Sequence, residues 1–190
     1  STTNFTSLMK QGSELFNASV LVTTVPDAGS DMEKQLMSFI RKGGKAMLYG
    51  PADHASDEFL SFINISLVEA LSGTFTLTTS LKRDQVTLPD QIRHDASMSG
   101  GGIKTVLAAK RDDTRVLASV MQEKQQRDVI VMRKDPSWKG GVVCYVRGTN
   151  SATYTGGMLL SNDDPTAWFI GGSLMRYTLS ELGYATFFQK

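Results

Sequence analysis

Asp53 and His54 follow the apolar run Lys45–Tyr49 and the pair Gly50-Pro51, and Asp27 follows Pro26 at the end of an earlier apolar run over 18–25. A carboxylate beside an imidazole can move protons near neutral pH or hold a sugar hydroxyl. Arg147, Thr149, Asn150 and Ser151 close a third apolar run, "GVVCYVRG", and a guanidinium with an amide can grip a carboxylate or a hydroxyl. If the three runs are parallel strands, their carboxyl ends share one sheet edge, where open α/β proteins hold ligands. Asp27, Asp53, His54, Arg147 and Asn150 are therefore the candidate ligand-binding set. The structural alternative makes Asp27 and Asp53 turn residues and helix-cap neighbours, with Arg147 pairing an acid. No nucleophile stands beside an activating partner in this set. That favours the structural alternative, and no catalytic residue is assigned.

The remaining candidates are weaker. His94 lies in "IRHDASMSGGG", a stretch that reads as loop, and a chain with two histidines has little capacity to hold a metal. The glycines of "SGGG" precede a strand-like run, whereas a phosphate cradle runs into a helix N-terminus. "GTNSATYTGG" lacks the P-loop lysine. Trp138 in "DPSWKGG" could stack on a sugar or a partner, but a cover over the core is the simpler role. Cys144, the single cysteine, sits between valines and a tyrosine, which implies a buried structural thiol. Methionines such as Met32, Met47 and Met175 fall at core-facing positions. Asn4, Asn17 and Asn64 each open an N-x-Ser/Thr triplet, relevant only in a eukaryotic secretory pathway.

The elements that must position these residues are legible in the pattern. Residues 5–16 place apolar side chains near helical spacing, and 19–25 reads as a buried strand. Ser30 with Glu33 is a capping box, Met32, Leu36, Phe39 and Ile40 form one stripe, and Gly43-Gly44 is a stop; a helix over 30–42 is predicted. Residues 45–49 form the next strand, and 56–72 reads as a further helix closed by Gly73. Two strand–helix units in succession predict strands 19–25 and 45–49 adjacent and parallel. After Gly73, "TFTLTTSL" alternates, and "DQVTLPDQIRHDASMSGGG" reads as an irregular connection. Four strands follow, "IKTVLAA", "RVLASVM", "DVIVMR" and "GVVCYVRG", with short turns that predict antiparallel hairpins. Asp164 and Pro165 start a last helix that Gly183 ends, and "YATFFQ" is the final strand.

A chain of 190 residues suits one sizeable core, so residues 1–190 are expected to form one domain. Twenty basic against nineteen acidic residues leave a net charge of +1, without the clustered positive excess of a nucleic-acid footprint. No apolar run reaches the roughly 18 residues of a membrane span. One cysteine excludes an internal disulfide and a multi-cysteine metal site. No cofactor or metal is implied.

The order of a strand, a helix ending in "FIRKGGK" and a strand ending in "YGP", with "GGGIKTVLA", "RVLASVMQ", "RDVIVMR" and "GGVVCYVRGTNS" after it, resembles class I glutamine amidotransferase-like domains. The likeness covers most of residues 18–190. It implies a three-layer flavodoxin-like α/β sandwich with a mixed, mostly parallel sheet and an antiparallel hairpin region in the second half. Relatives serve as non-catalytic modules of carbohydrate-active enzymes, including the trimerisation domain of some β-galactosidases. The resemblance therefore implies packing against other domains of a parent chain, homo-oligomerisation, contact with carbohydrate, and neither nucleic acid nor membrane as partner. A working amidotransferase needs a cysteine on an exposed elbow and a His-x-Glu pair. Here Cys144 has no elbow, His54 is followed by Ala-Ser and His94 by Asp-Ala. The triad is absent. The sheet's usual first strand is also missing from the start of the chain, so it lies upstream in a longer protein or "YATFFQ" takes its place. Both readings suit a module of a larger protein, with a hydrolase or a small-ligand-binding module as the alternatives.

Overall fold

The computed structural model describes residues 20–69, 71, 73–80, 91–94 and 105–147. The chain begins there with β1 (Val20–Thr24), then α1 (Asp31–Arg41), β2 (Lys45–Tyr49) and α2 (Asp57–Phe62). The Ser30 hydroxyl accepts from the Glu33 N–H at 3.2 Å, satisfying one free donor of the first turn. The Glu33 carboxylate reaches the Gly29 N–H at 3.4 Å, one residue before the cap. At the other end the Gly44 N–H bonds the Phe39 carbonyl and the Gly43 N–H bonds that of Ile40, both at 3.0 Å. This bond pair turns the chain out of the helix through Gly43 at φ 106°, a conformation that glycine adopts without strain.

Beyond α2 the expected helix over 56–72 gives way to a strand. The helix stops at Phe62, Asn64 adopts φ 58°, and β3 (Ile65–Val68) begins at once. Asn tolerates the left-handed region, and here its Nδ2 donates to the Ala109 carbonyl at 2.8 Å and to Thr114 Oγ1 at 2.9 Å. Gly73 accordingly opens a strand, β4 (Gly73–Thr79), instead of closing a helix. The connection expected to be irregular contains β5 (Gln91–His94), so His94 ends a strand and is not a loop residue. Then come β6 (Thr105–Ala108), β7 (Thr114–Gln122), β8 (Gln125–Arg133), a 3₁₀ turn (Pro136–Trp138) and β9 (Val142–Val146). The segments expected as a helix over 5–16, the helix from Asp164 and the final strand lie outside the described residues.

The architecture is mixed α/β. Among the described residues nine strands form one sheet in the order β1-β2-β9-β8-β7-β4-β5, with the β3–β6 pair attached through β8. β1, β2 and β9 are parallel, as expected of the first two. The six other pairings are antiparallel, so among the described residues the sheet is not mostly parallel. For β7 and β8 the cause is local: they are joined through a tight turn with Glu123 at φ 54°, and so short a link can only reverse the chain.

Alternation splits the apolar side chains between two faces. Ala46, Leu48, Val131, Val143 and Tyr145 pack under Leu36, Phe39 and Ile40 of α1, Phe59 of α2 and Trp138. Each buried Leu, Ile, Val or Phe among them is worth roughly 1.5–3 kcal/mol. Met47, Leu77, Ile130, Met132, Cys144 and Val146 form a second buried cluster, to which neither α1, α2 nor the 3₁₀ turn contributes. Gly141 fixes the entry to β9, because a Cβ there would overlap the Ile40 carbonyl oxygen. Trp138 is buried, a core cover and not an exposed turn aromatic.

Candidate functional site

The parallel pairings bring the carboxyl ends of β1, β2 and β9 to one edge, the arrangement on which the candidate set was chosen. Two loops there are tied together. The Ala28 N–H donates to the His54 carbonyl at 2.9 Å, and His54 Nε2 lies 2.9 Å from the Val25 carbonyl oxygen. A carbonyl only accepts, so this contact selects the ring form with a proton on Nε2. The Ser30 N–H closes the first loop onto the Asp27 carbonyl at 3.1 Å. β9 joins from below: the Tyr145 hydroxyl donates to the Gly50 carbonyl at 2.6 Å, and the Gly50 N–H bonds the Val146 carbonyl.

Asp27 and His54 meet, with Oδ1 4.0 Å from Nε2. The Asp27 side chain is 85% exposed, so its pull on the ring is screened by water. Asp53 is exposed in the turn before α2. The cap of α2 is Ser56, whose Oγ accepts from the Phe59 N–H at 3.0 Å. Arg147 follows β9, is buried, and donates its backbone N–H to the Val129 carbonyl at 2.7 Å. Asn150, Thr149 and Ser151 lie outside the described residues. What the edge offers chemically is one imidazole with Nε2 already engaged and a solvated carboxylate. Among the described residues no group of three or more His, Cys, Asp or Glu could hold a metal ion.

Cys144 lies mid-strand in β9, fully buried, with Met47 and Met132 as its lateral neighbours across β2 and β8. A thiol in that position is closed to substrate and has no elbow to expose it.

The densest polar cluster is one that residue patterning did not single out. Arg133, at the end of β8, is buried and donates to Asp113 Oδ2 and Asp135 Oδ2, each at 2.9 Å. It also donates to the Phe62 carbonyl at 2.7 Å, which the helix itself leaves unsatisfied, and to the Ser61 carbonyl at 3.3 Å, which the Asn64 N–H also bonds. Its guanidinium lies 5.0 Å from the Trp138 ring centre, and that ring stacks at 4.6 Å on Phe62. Burial alone would raise the Asp113 pKa. Hydrogen bonds from Thr114 and Arg133, the Arg133 charge and the Arg111 bond outweigh it and hold the group below its ordinary value. Asp135 is likewise lowered, first by the Ser137 hydroxyl and N–H and then, against some burial, by the Arg133 charge. The sequence signal was faint: an Arg-Lys-Asp-Pro-Ser-Trp stretch whose partners at Ser61, Phe62 and Asp113 are remote.

No family model and no curated protein matches this sequence. Among solved structures, the mmIFT52 N-terminal domain shares the fold, with a TM-score of 0.54 over 98% of this chain and 93% of that one at 10% identity. Two glycoside hydrolases show a weaker likeness. The exo-β-1,4-mannosidase Op5Man5 from Opitutaceae bacterium strain TAV5 matches over 67% of this chain at 14% identity and a TM-score of 0.43. The cold-adapted β-galactosidase from Rahnella sp. R3 matches over 84% at 8% identity and 0.45. The chain spans 20% of the length of the mannosidase and 22% of that of the galactosidase. At those scores neither likeness bears on activity.

Proposed function

We propose that the chain is a non-catalytic, glutamine amidotransferase-like accessory domain of three-layer, flavodoxin-like form, one unit of a larger carbohydrate-active protein. The observation that carries the non-catalytic reading is the place of Cys144, sealed inside the sheet where an amidotransferase needs an exposed thiolate beside a base. The third layer is supported by the second apolar cluster, whose strand residues are buried although neither α1, α2 nor the 3₁₀ turn covers them. The domain packs against other parts of the parent protein, contributes to its self-association or shapes a carbohydrate-binding cleft, and meets neither nucleic acid nor membrane. The carbohydrate setting rests on the sequence resemblance. The test is ammonia release from glutamine and hydrolysis of nitrophenyl glycosides by the chain. Both are expected at buffer background, and glutamine-dependent release abolished by Cys144→Ala would overturn the reading. In a parent protein, removing the domain is expected to change assembly or thermal midpoint.

One observation favours the alternative of a hydrolase or small-ligand module at the strand edge: the approach of His54 to Asp27. It predicts that His54→Ala and Asp27→Ala each lower parent turnover or ligand affinity about a hundredfold, the scale of a lost general acid or base. The accessory reading predicts near-normal turnover for both.

A further inference from the structure

Among the described residues β3 is paired on one side only, and it runs beside a hollow. Ala108 of β6 turns its N–H to the buried carboxylate of Asp128 on β8, at 2.7 Å. Its pair with Ile65 is therefore a non-hydrogen-bonded one, and so is the pair Leu67↔Val106 two residues on. The N–H and C=O groups of Ile65 and Leu67 thus point away from β6. No neighbouring strand takes them up on that side among the described residues. Ile65 is buried beneath the Asn64 turn, whereas Leu67 is half-buried and within reach of solvent.

Exposed edges are ordinarily blunted by lysine, proline or a bulge. The sequence of β3, Ile-Ser-Leu-Val, has none of these, and only its four-residue length limits the edge. A hollow of about 450 Å³ lies alongside, between Asp57, Leu60 and Ser61 of α2 and Ile65, Ser66 and Leu67 of β3. Asp57 has no cationic partner among the described residues and is exposed at the rim. Leu60 and Leu67 supply the apolar wall. A short edge without lysine, proline or bulge, a helix beside it and an exposed carboxylate in that helix's first turn make the arrangement by which strand addition captures extended peptides: main-chain bonds hold the strand and alternate side chains enter the groove.

We propose that β3 and α2 form a docking site for an extended peptide segment that carries a basic side chain. The segment pairs with Leu67 on the open edge, sets an apolar side chain in the hollow and places its cation against Asp57. This stands independently of the accessory reading, because an enzyme could carry the same edge. The probe is a labelled short peptide alternating valine with threonine and lysine, added to the whole chain and followed by amide NMR and fluorescence anisotropy. Saturable binding is expected, with shifts concentrated at Ile65–Val68 and slowed hydrogen exchange at the Leu67 amide. Asp57→Asn is expected to weaken it about tenfold, the effect of one lost charge-assisted hydrogen bond. A peptide N-methylated at its edge-facing positions is expected not to bind, a control that leaves the fold untouched. No saturable binding, shifts confined to another strand, or undiminished binding of the N-methylated peptide would each overturn the proposal.

Discussion

Arg133→Met tests whether the buried guanidinium locks α2 onto the sheet. Methionine keeps most of the stem and its contact with Trp138 but removes the bonds to Asp113, Asp135, Phe62 and Ser61. Neither acid is stranded, since Asp113 keeps Thr114 and Arg111, and Asp135 keeps Ser137. The Phe62 carbonyl loses its donor while buried, which costs about 1–3 kcal/mol. Two charge-assisted bonds go as well, but both acids keep other donors, so the total loss should be about 2–4 kcal/mol, below that of a pair that leaves a bare buried charge. Against a domain stability of roughly 5–15 kcal/mol this is plainly readable in urea unfolding, as a lowered midpoint with unchanged slope. Arg133→Lys supplies one point charge without the fork, so it should recover only part of the loss.

The pH dependence gives a second readout. Asp113 and Asp135 have folded pKa values below the ordinary 3.8 of an aspartate. Their contribution is therefore present above pH 3.8 and is lost as pH falls through the lower folded values. Because Arg133 supports both shifts, the gap between wild type and Arg133→Met should be widest near neutral pH and narrow below pH 3.8. A variant within about 1 kcal/mol of wild type at neutral pH would refute the lock. So would a gap that stays constant through acid unfolding.

Three further outcomes follow from the geometry. Ser56→Ala should cost about 0.5–2 kcal/mol in thermal or urea unfolding, because Ser56 caps α2; an unchanged midpoint would remove that role. Asn64→Ala should destabilise by more than Asn64→Gly, by about 1–2 kcal/mol, since both lose the bonds to Ala109 and Thr114 but only glycine tolerates φ 58° freely. Equal loss for both would put the cost in the hydrogen bonds alone. Native protein at neutral pH should leave Cys144 unmodified by a thiol reagent and react only on unfolding; rapid stoichiometric labelling would reopen the nucleophile reading.

Features set by near neighbours in the chain could be read without coordinates. Ser30, Glu33 and the double glycine delimit α1 because caps act within one turn, and β1 and β2 lie parallel because a helix must carry the chain back between them. The runs that became β7 to β9 were likewise plain, since tight turns leave only antiparallel return; the hairpin expected between β6 and β7 does not form, because β6 leaves for β3 and β8 instead. Residues 63–68 show where that logic ends. Their spacing continues the helix of 56–62, and only the tertiary structure replaces it with β3. The left-handed turn at Asn64 is held by an acceptor 45 residues away and by Thr114, neither of which periodicity can register. Trp138 was expected as a cover over the core and is one, but its partners Arg133 and Phe62 came only with the fold. At the strand edge, sequence nominated Asp27 and His54. The fold decided that the imidazole should face the Val25 carbonyl, because the strands that carry the two loops are neighbours in space and 29 residues separate the bonded pair along the chain.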